Sequence, residues 1–145
     1  MSFVHLSLHT EFSLVDGLIR IKPLFERLKE QQVTAVALTD LGNAFGAIKF
    51  YQAALKAGIK PIFGADLLLR TDDGEVGRIT ALAQNYTGYL NLSKLLSKGY
   101  IEKQIRGIPH ITPEWLREYN EGLILILSKE SHFGQALIHH NLNQN

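Results

Sequence analysis

The sequence predicts an α/β protein with a parallel sheet and helices outside it. Three observations predict it. Short apolar runs at 35–40 (A-V-A-L-T-D), 60–69 (K-P-I-F-G-A-D-L-L-L) and 122–128 (G-L-I-L-I-L-S) read as buried strands. Between them lie segments whose apolar residues recur at helical spacing. Polar residues, His9-Thr10, Thr39-Asp40, Asp66 and Ser128, gather at the ends of the runs. In barrels and open α/β sheets the carboxyl ends of the strands are where ligands bind.

Each element has its own signal. Phe3–His9 reads as a strand because Val4, Leu6 and Leu8 alternate with His5, Ser7 and His9. Ile21, Leu24, Phe25 and Leu28 then form the apolar stripe of a helix, with Lys22, Glu26, Arg27, Lys29 and Glu30 on its polar face. Ala35–Asp40 is the next strand. Ala47–Ala57 follows as a helix that stops at Gly58. Lys60–Leu69 is a third strand, Asp72-Asp73-Gly74 a turn, and Arg78–Gln84 a strand placed to pair back on it. Thr87–Tyr100 sets Leu92, Leu95, Leu96 and Gly99 on one helical face, and Thr112-Pro113 opens a short helix with Pro in its favoured first position. Gly122–Ser128 is a further strand, and Gly134–His140 begins a last helix. No repeat, low-complexity tract or linker divides residues 1–145.

Composition narrows the function classes. The 145 residues are 46% apolar and 20% charged, which describes a single globular domain. A net charge of +1 gives no basic footprint of a self-sufficient DNA-binding domain. With no cysteine, any metal must be held by imidazole and carboxylate. No apolar run reaches the roughly 18 residues of a membrane span, and no leader pattern is present, so the expected location is the cytoplasm.

The histidine row sets a geometric limit. In a strand His5 and His9 have Cα atoms about 13 Å apart, too far to share one ion. A pair at i and i+2 converges, but the shared neighbour of both histidines is Ser7.

The run H-L-S-L-H-T-E-F-S-L-V-D-G (5–17) resembles the first motif of the PHP (polymerase and histidinol phosphatase) family. The likeness continues through A-L-T-D-L-G-N-A-F-G (37–46), A-G-I-K-P-I-F-G-A-D (57–66), A-L-A-Q-N-Y-T-G-Y-L-N-L-S-K-L-L-S (81–97) and W-L-R-E-Y-N-E-G-L-I-L-I-L-S (115–128). The T-G-Y-x-N-L block and the N-x-F-G turn are similar to the replicative-polymerase branch of that family.

The resemblance implies a distorted TIM-like (β/α)7 barrel, of which this chain holds the N-terminal part. Active members bind two or three metal ions at the strand ends and cleave phosphoesters. Carried onto this sequence, the ligand pattern keeps His9, Asp16 and Asp66, with Asp40 behind them. It departs at Ser7, Leu41 and Arg78, each standing where the family carries His, and near Glu130, where a Cys is often found. The resemblance therefore implies a vestigial metal cluster, with Arg78 bridging to Asp66 or Asp16 in place of metal. Such a domain is expected to be a structural module on which the proofreading exonuclease subunit docks. No cofactor is expected in this piece, magnesium belongs to the parent polymerase, and DNA is reached through the parent chain. No catalytic residue is expected here, because the polymerase palm is absent. The alternative is a working phosphoesterase holding zinc or manganese, either as an editing site or as a stand-alone phosphatase. Ending before the barrel's last strands predicts a truncated piece that self-associates.

Plainer roles are available for several of these residues. His5 is expected to be a hydrogen-bonded core histidine, Asp16 the N-cap of the following helix, and Asp40 a cap on the following turn through its backbone amides. Asp66, a carboxylate among apolar residues, needs a partner. His110, His132, His139 and His140 lack metal-ligand spacing and are expected at the surface. Gly42, Gly46 and Gly64 read as turn or close-packing glycines, with no phosphate-loop spacing.

Overall fold

The computed structural model describes residues 3–14 and 16–127. Within them the order is α1 (Ile21–Glu30), β1 (Ala35–Leu38), α2 (Ala47–Ala57), β2 (Lys60–Arg70), β3 (Val76–Ala83), α3 (Tyr86–Glu102), β4 (Gln104–Ile105), β5 (Ile108–Pro109), α4 (Pro113–Glu118) and β6 (Leu123–Leu127). The helix proposed at Gly134–His140, and Ser128, Glu130, His132, His139 and His140, lie outside the described residues.

Four strands form one sheet in the order β1-β2-β3-β6. It is mixed, not parallel throughout. β1 and β2 run parallel, whereas β2–β3 and β3–β6 are antiparallel. The reason is local: Asp72, Asp73 and Gly74 (φ 90°) form a tight turn, so β3 returns directly along β2 with no crossover helix.

Phe3–His9 departs from a regular strand. Ala37 N donates to His5 O at 2.8 Å and Thr39 N donates to Leu8 O at 3.0 Å. Three steps of this segment thus run beside two steps of β1, an extra residue that breaks the alternation. The Thr39 hydroxyl takes up the displaced Leu8 N at 2.8 Å. Leu8 is buried while Leu6 is 41% exposed. His5 is exposed, with its ring against the edge of the Phe3 ring, so it is not a core histidine.

Two apolar clusters hold the layers. Ile21, Phe25 and Leu28 of α1 pack with Phe50 and Ala54 of α2 over Val36 and Leu38 of β1. Leu92, Leu95 and Leu96 of α3 cover Ala65, Leu67, Ile79 and Ala81 on one face of the β2–β3 hairpin. α3 approaches β6 through glycine: a Cβ on Gly88 would sit 1.9 Å from Gly122 O. The opposite face of the hairpin, with Asp66, Arg78 and Thr80, carries the polar residues.

β6 forms where G-L-I-L-I-L-S predicts it, but as an edge strand. Ile124 and Ile126 are 48% and 37% exposed, because among the described residues no layer covers them. His110 is also a correction. Ile111 N donates to Leu68 O and Arg70 N donates to Ile111 O, pinning this segment to β2. His110 is buried, and its Nδ1 donates to Ile108 O at 2.9 Å.

Candidate functional site

The site is built by the turn after His9, the end of β1 and the middle of β2. Asp66 is not at a strand end. It is an interior residue of β2, pairs with Thr80 of β3, and faces Leu41, just beyond β1. The carboxyl end of β1 therefore opens beside the centre of β2, and the β2–β3 hairpin continues past the site.

Asp40 holds the first wall. Fully buried, its carboxylate accepts from Thr10 N at 2.6 Å and from the Thr10 hydroxyl at 2.9 and 3.0 Å. Its sequence position predicts a cap on the following turn; instead it ties the His9-Thr10 backbone to the end of β1. Burial pushes its carboxyl above the ordinary carboxylate range, against the pull of the Thr10 donors.

Ser13 sets Asp16. Its hydroxyl accepts from Leu41 N at 3.0 Å and donates to Asp16 Oδ1 at 2.6 Å. The turn around them is closed by Gly17 N donating to Ser13 O, and a Cβ at Gly17 would fall 1.7 Å from Thr10 O. No side chain fits there. Asp16 is not the cap of α1, whose N-cap is Arg20 with no side-chain bond. The Ser13 hydroxyl, followed by the charge of His9, draws the Asp16 carboxyl below its ordinary value against the opposing effect of burial.

His9 joins the two acids. Its Nδ1 lies 2.9 Å from Asp16 Oδ2 and its Nε2 lies 2.9 Å from Asp66 Oδ2. Carboxylates only accept, so both bonds are made at once when both ring nitrogens carry hydrogen. Thr80 donates to the other Asp66 oxygen at 2.5 Å, leaving this 3%-exposed side chain partnered at both oxygens. Arg78 reaches the same pair: Nε is 3.7 Å from Asp66 Oδ2 and Nη1 is 4.0 Å from Asp16 Oδ2. These are ion pairs, longer than hydrogen bonds.

The structure thus brings His9, Asp16, Asp66 and Arg78 together, with Asp40 supporting the backbone beneath them. Ser7 is exposed and Leu41 half-buried, and Leu41 serves the site through its backbone N alone. Thr10 stands among the polar strand-end residues of the sequence, whereas Ser13 and Thr80 are site residues that sequence spacing did not reveal. Only Thr80 had a usable signal, lying two positions from Arg78 on one strand face.

A cluster of two or three metal ions needs more donors than this. Among the described residues one imidazole and two carboxylates converge here, and both His9 nitrogens face carboxylate oxygens. Arg78 sets a permanent positive charge within 4.0 Å of both acids. The donor set of the described residues does not fit a multinuclear centre.

Helices flank the mixed sheet, and a histidine and two acids converge beyond the end of β1. Residues 5–145 match the PHP domain, and the chain belongs to that family. It is similar to DNA polymerase III subunit alpha of Pseudomonas fluorescens, with 51% identity over 140 residues covering 94% of this chain and 12% of that protein. The protein of the same description from Pseudomonas aeruginosa is 50% identical over 141 residues, covering 95% and 12%. That from Escherichia coli K12 is 44% identical over 126 residues, covering 86% and 11%. The chain therefore spans about 12% of the length of the curated relatives it matches. Among solved structures, an amidohydrolase from Chromobacterium violaceum with bound sulfate and no metal superposes with TM-score 0.53 at 20% identity, covering 67% of this chain and 33% of that one. A Bifidobacterium adolescentis protein assigned as a metal-dependent phosphoesterase gives TM-score 0.50 at 18% identity, covering 67% and 32%. At these identities the likeness is one of fold.

Proposed function

We propose that this chain is the N-terminal part of the PHP domain of a bacterial replicative polymerase alpha subunit, and that it is a structural and docking module without catalysis of its own. The observation that carries the second half is the shared pair of oxygens. Asp16 Oδ2 and Asp66 Oδ2 are each approached by His9 and by Arg78. The groups that face these acids, an imidazole and a guanidinium, are side chains of the same fold. An ion-paired centre supplies the cross-linking that metal gives an active relative, and supplies no Lewis acid for phosphoester cleavage.

The parent is a DNA-directed DNA polymerase whose magnesium and DNA contacts lie on other domains. The described residues belong to a distorted barrel whose remaining strands lie elsewhere in the parent. A proofreading exonuclease subunit docks on this domain. No helix among the described residues is long and apolar enough to cross a membrane. Zinc or manganese would enter only if the centre were active, and in that case His9, Asp16 and Asp66 would hold it.

Affinity capture of purified exonuclease subunit on the immobilised alpha subunit tests the docking role. Capture lost when the PHP segment is replaced by an unrelated domain supports it; undiminished capture overturns it.

A further inference from the structure

Away from the His9 cluster, α1 and α2 flank a groove of about 550 Å³. Lys22 and Lys29 of α1 and Lys49 and Lys56 of α2 line it, and all four are exposed. On each helix the two lysines are seven residues apart, about 10.5 Å along the axis. Among the described residues none of the four is in an ion pair; Lys49 lies over the Phe12 ring at 5.0 Å. Glu11 and Glu26 also line the groove, so its lining is net positive by two. In a chain of net charge +1 this is a local concentration of charge. The floor is apolar, formed by Phe25, Ala53 and Ala57.

We infer that this groove docks an acidic amphipathic helix of a protein partner. Such a helix lays its apolar stripe on the floor, and carboxylates at its i and i+7 positions repeat at the same spacing as the lysine rows. The lysine stems extend the apolar walls while their ammonium groups meet the acids at the rim. A nucleic-acid strand would make no use of the apolar floor. The inference does not depend on the replicase reading, since no lining residue belongs to the ion cluster.

The test is fluorescence anisotropy of the intact chain with a labelled helical peptide of about 16 residues, carrying one Leu/Ala face and Glu at i, i+4 and i+7. The expected result is saturable binding that weakens with salt. Lys22→Glu/Lys56→Glu should weaken it at least about tenfold, Lys22→Gln/Lys56→Gln should weaken it less, and Lys103→Glu outside the groove should leave it unchanged. Circular dichroism checks that each variant is folded, with the Gln pair deciding if the Glu pair is not. Absence of saturable binding up to about 1 mM, or binding indifferent to the groove substitutions, overturns the inference. Tighter binding of a single-stranded oligonucleotide through the same lysines also overturns it and makes the groove a polyanion site.

Discussion

Nε2 of His9 lies 2.9 Å from Oδ2 of Asp66, across 57 positions of sequence, while Arg78 Nε stands 3.7 Å from that same oxygen. An acid that is 3% exposed thus faces an imidazole, a guanidinium and the Thr80 hydroxyl.

Removing the guanidinium leaves two acids with one imidazole between them. Arg78→Ala should lower stability by about 1 kcal/mol, held to that size by the solvent around a side chain that is 55% exposed. Thermal unfolding is the measurement, with a drop of roughly 3–5 °C expected. An unchanged melting temperature would count against Arg78 as a member of the cluster.

Asp40 acts from beneath. Asp40→Ala leaves the buried Thr10 N and hydroxyl without an acceptor and should cost roughly 2–3 kcal/mol in urea denaturation. Asp40→Asn keeps one acceptor oxygen and removes the burial penalty on the charge, so it should cost less. Equal losses would show that the site does not depend on the Thr10–Asp40 bonds.

The acid limb of stability follows from the two shifted acids, which have opposite signs. Asp16 is lowered in the fold, so its contribution is full above the ordinary value of 3.8 and is lost as pH falls through its folded value. Asp40 is raised by burial, so its ionised form is penalised at neutral pH and the penalty is relieved as pH falls through its raised value. Ser13→Ala, which removes the main cause lowering Asp16, should flatten the loss of stability below about pH 4. Asp40→Asn should steepen the net loss by removing the compensating gain. Denaturation midpoints across the acid range decide both, and parallel curves for all three proteins would refute the assignment.

Much of this was legible in the sequence because it rests on period and punctuation. Ile21, Phe25 and Leu28 announce α1, Gly58 ends α2 at φ 69°, and Thr112-Pro113 opens α4 where expected. Phe3–His9 was not legible, because its period-2 pattern is overruled by the Thr39 side chain, which takes a backbone partner and admits an extra residue. His110 was misplaced because its burial depends on Ile111 pairing with Leu69, a contact that no local pattern announces. At the site, the residues facing the acids were legible through resemblance. The connections that hold them, Thr10 to Asp40, Ser13 to Asp16 and Thr80 to Asp66, are tertiary bonds with no fixed spacing.

Among the described residues Ile124 is exposed on an edge strand, and we propose that this edge pairs with a second copy. Sedimentation should show a dimer or larger species that dissociates on dilution, with Ile124→Lys shifting it toward monomer. A clean monomer at all concentrations would contradict this.

Metal content measured by mass spectrometry on protein purified without chelator, with phosphomonoester hydrolysis assayed on the same sample, tests the central claim most directly. An ion-paired His9–Asp16–Asp66–Arg78 centre predicts far less than one zinc or manganese per chain and no hydrolysis above background. Near-stoichiometric metal together with turnover would contradict it and make this a working phosphoesterase.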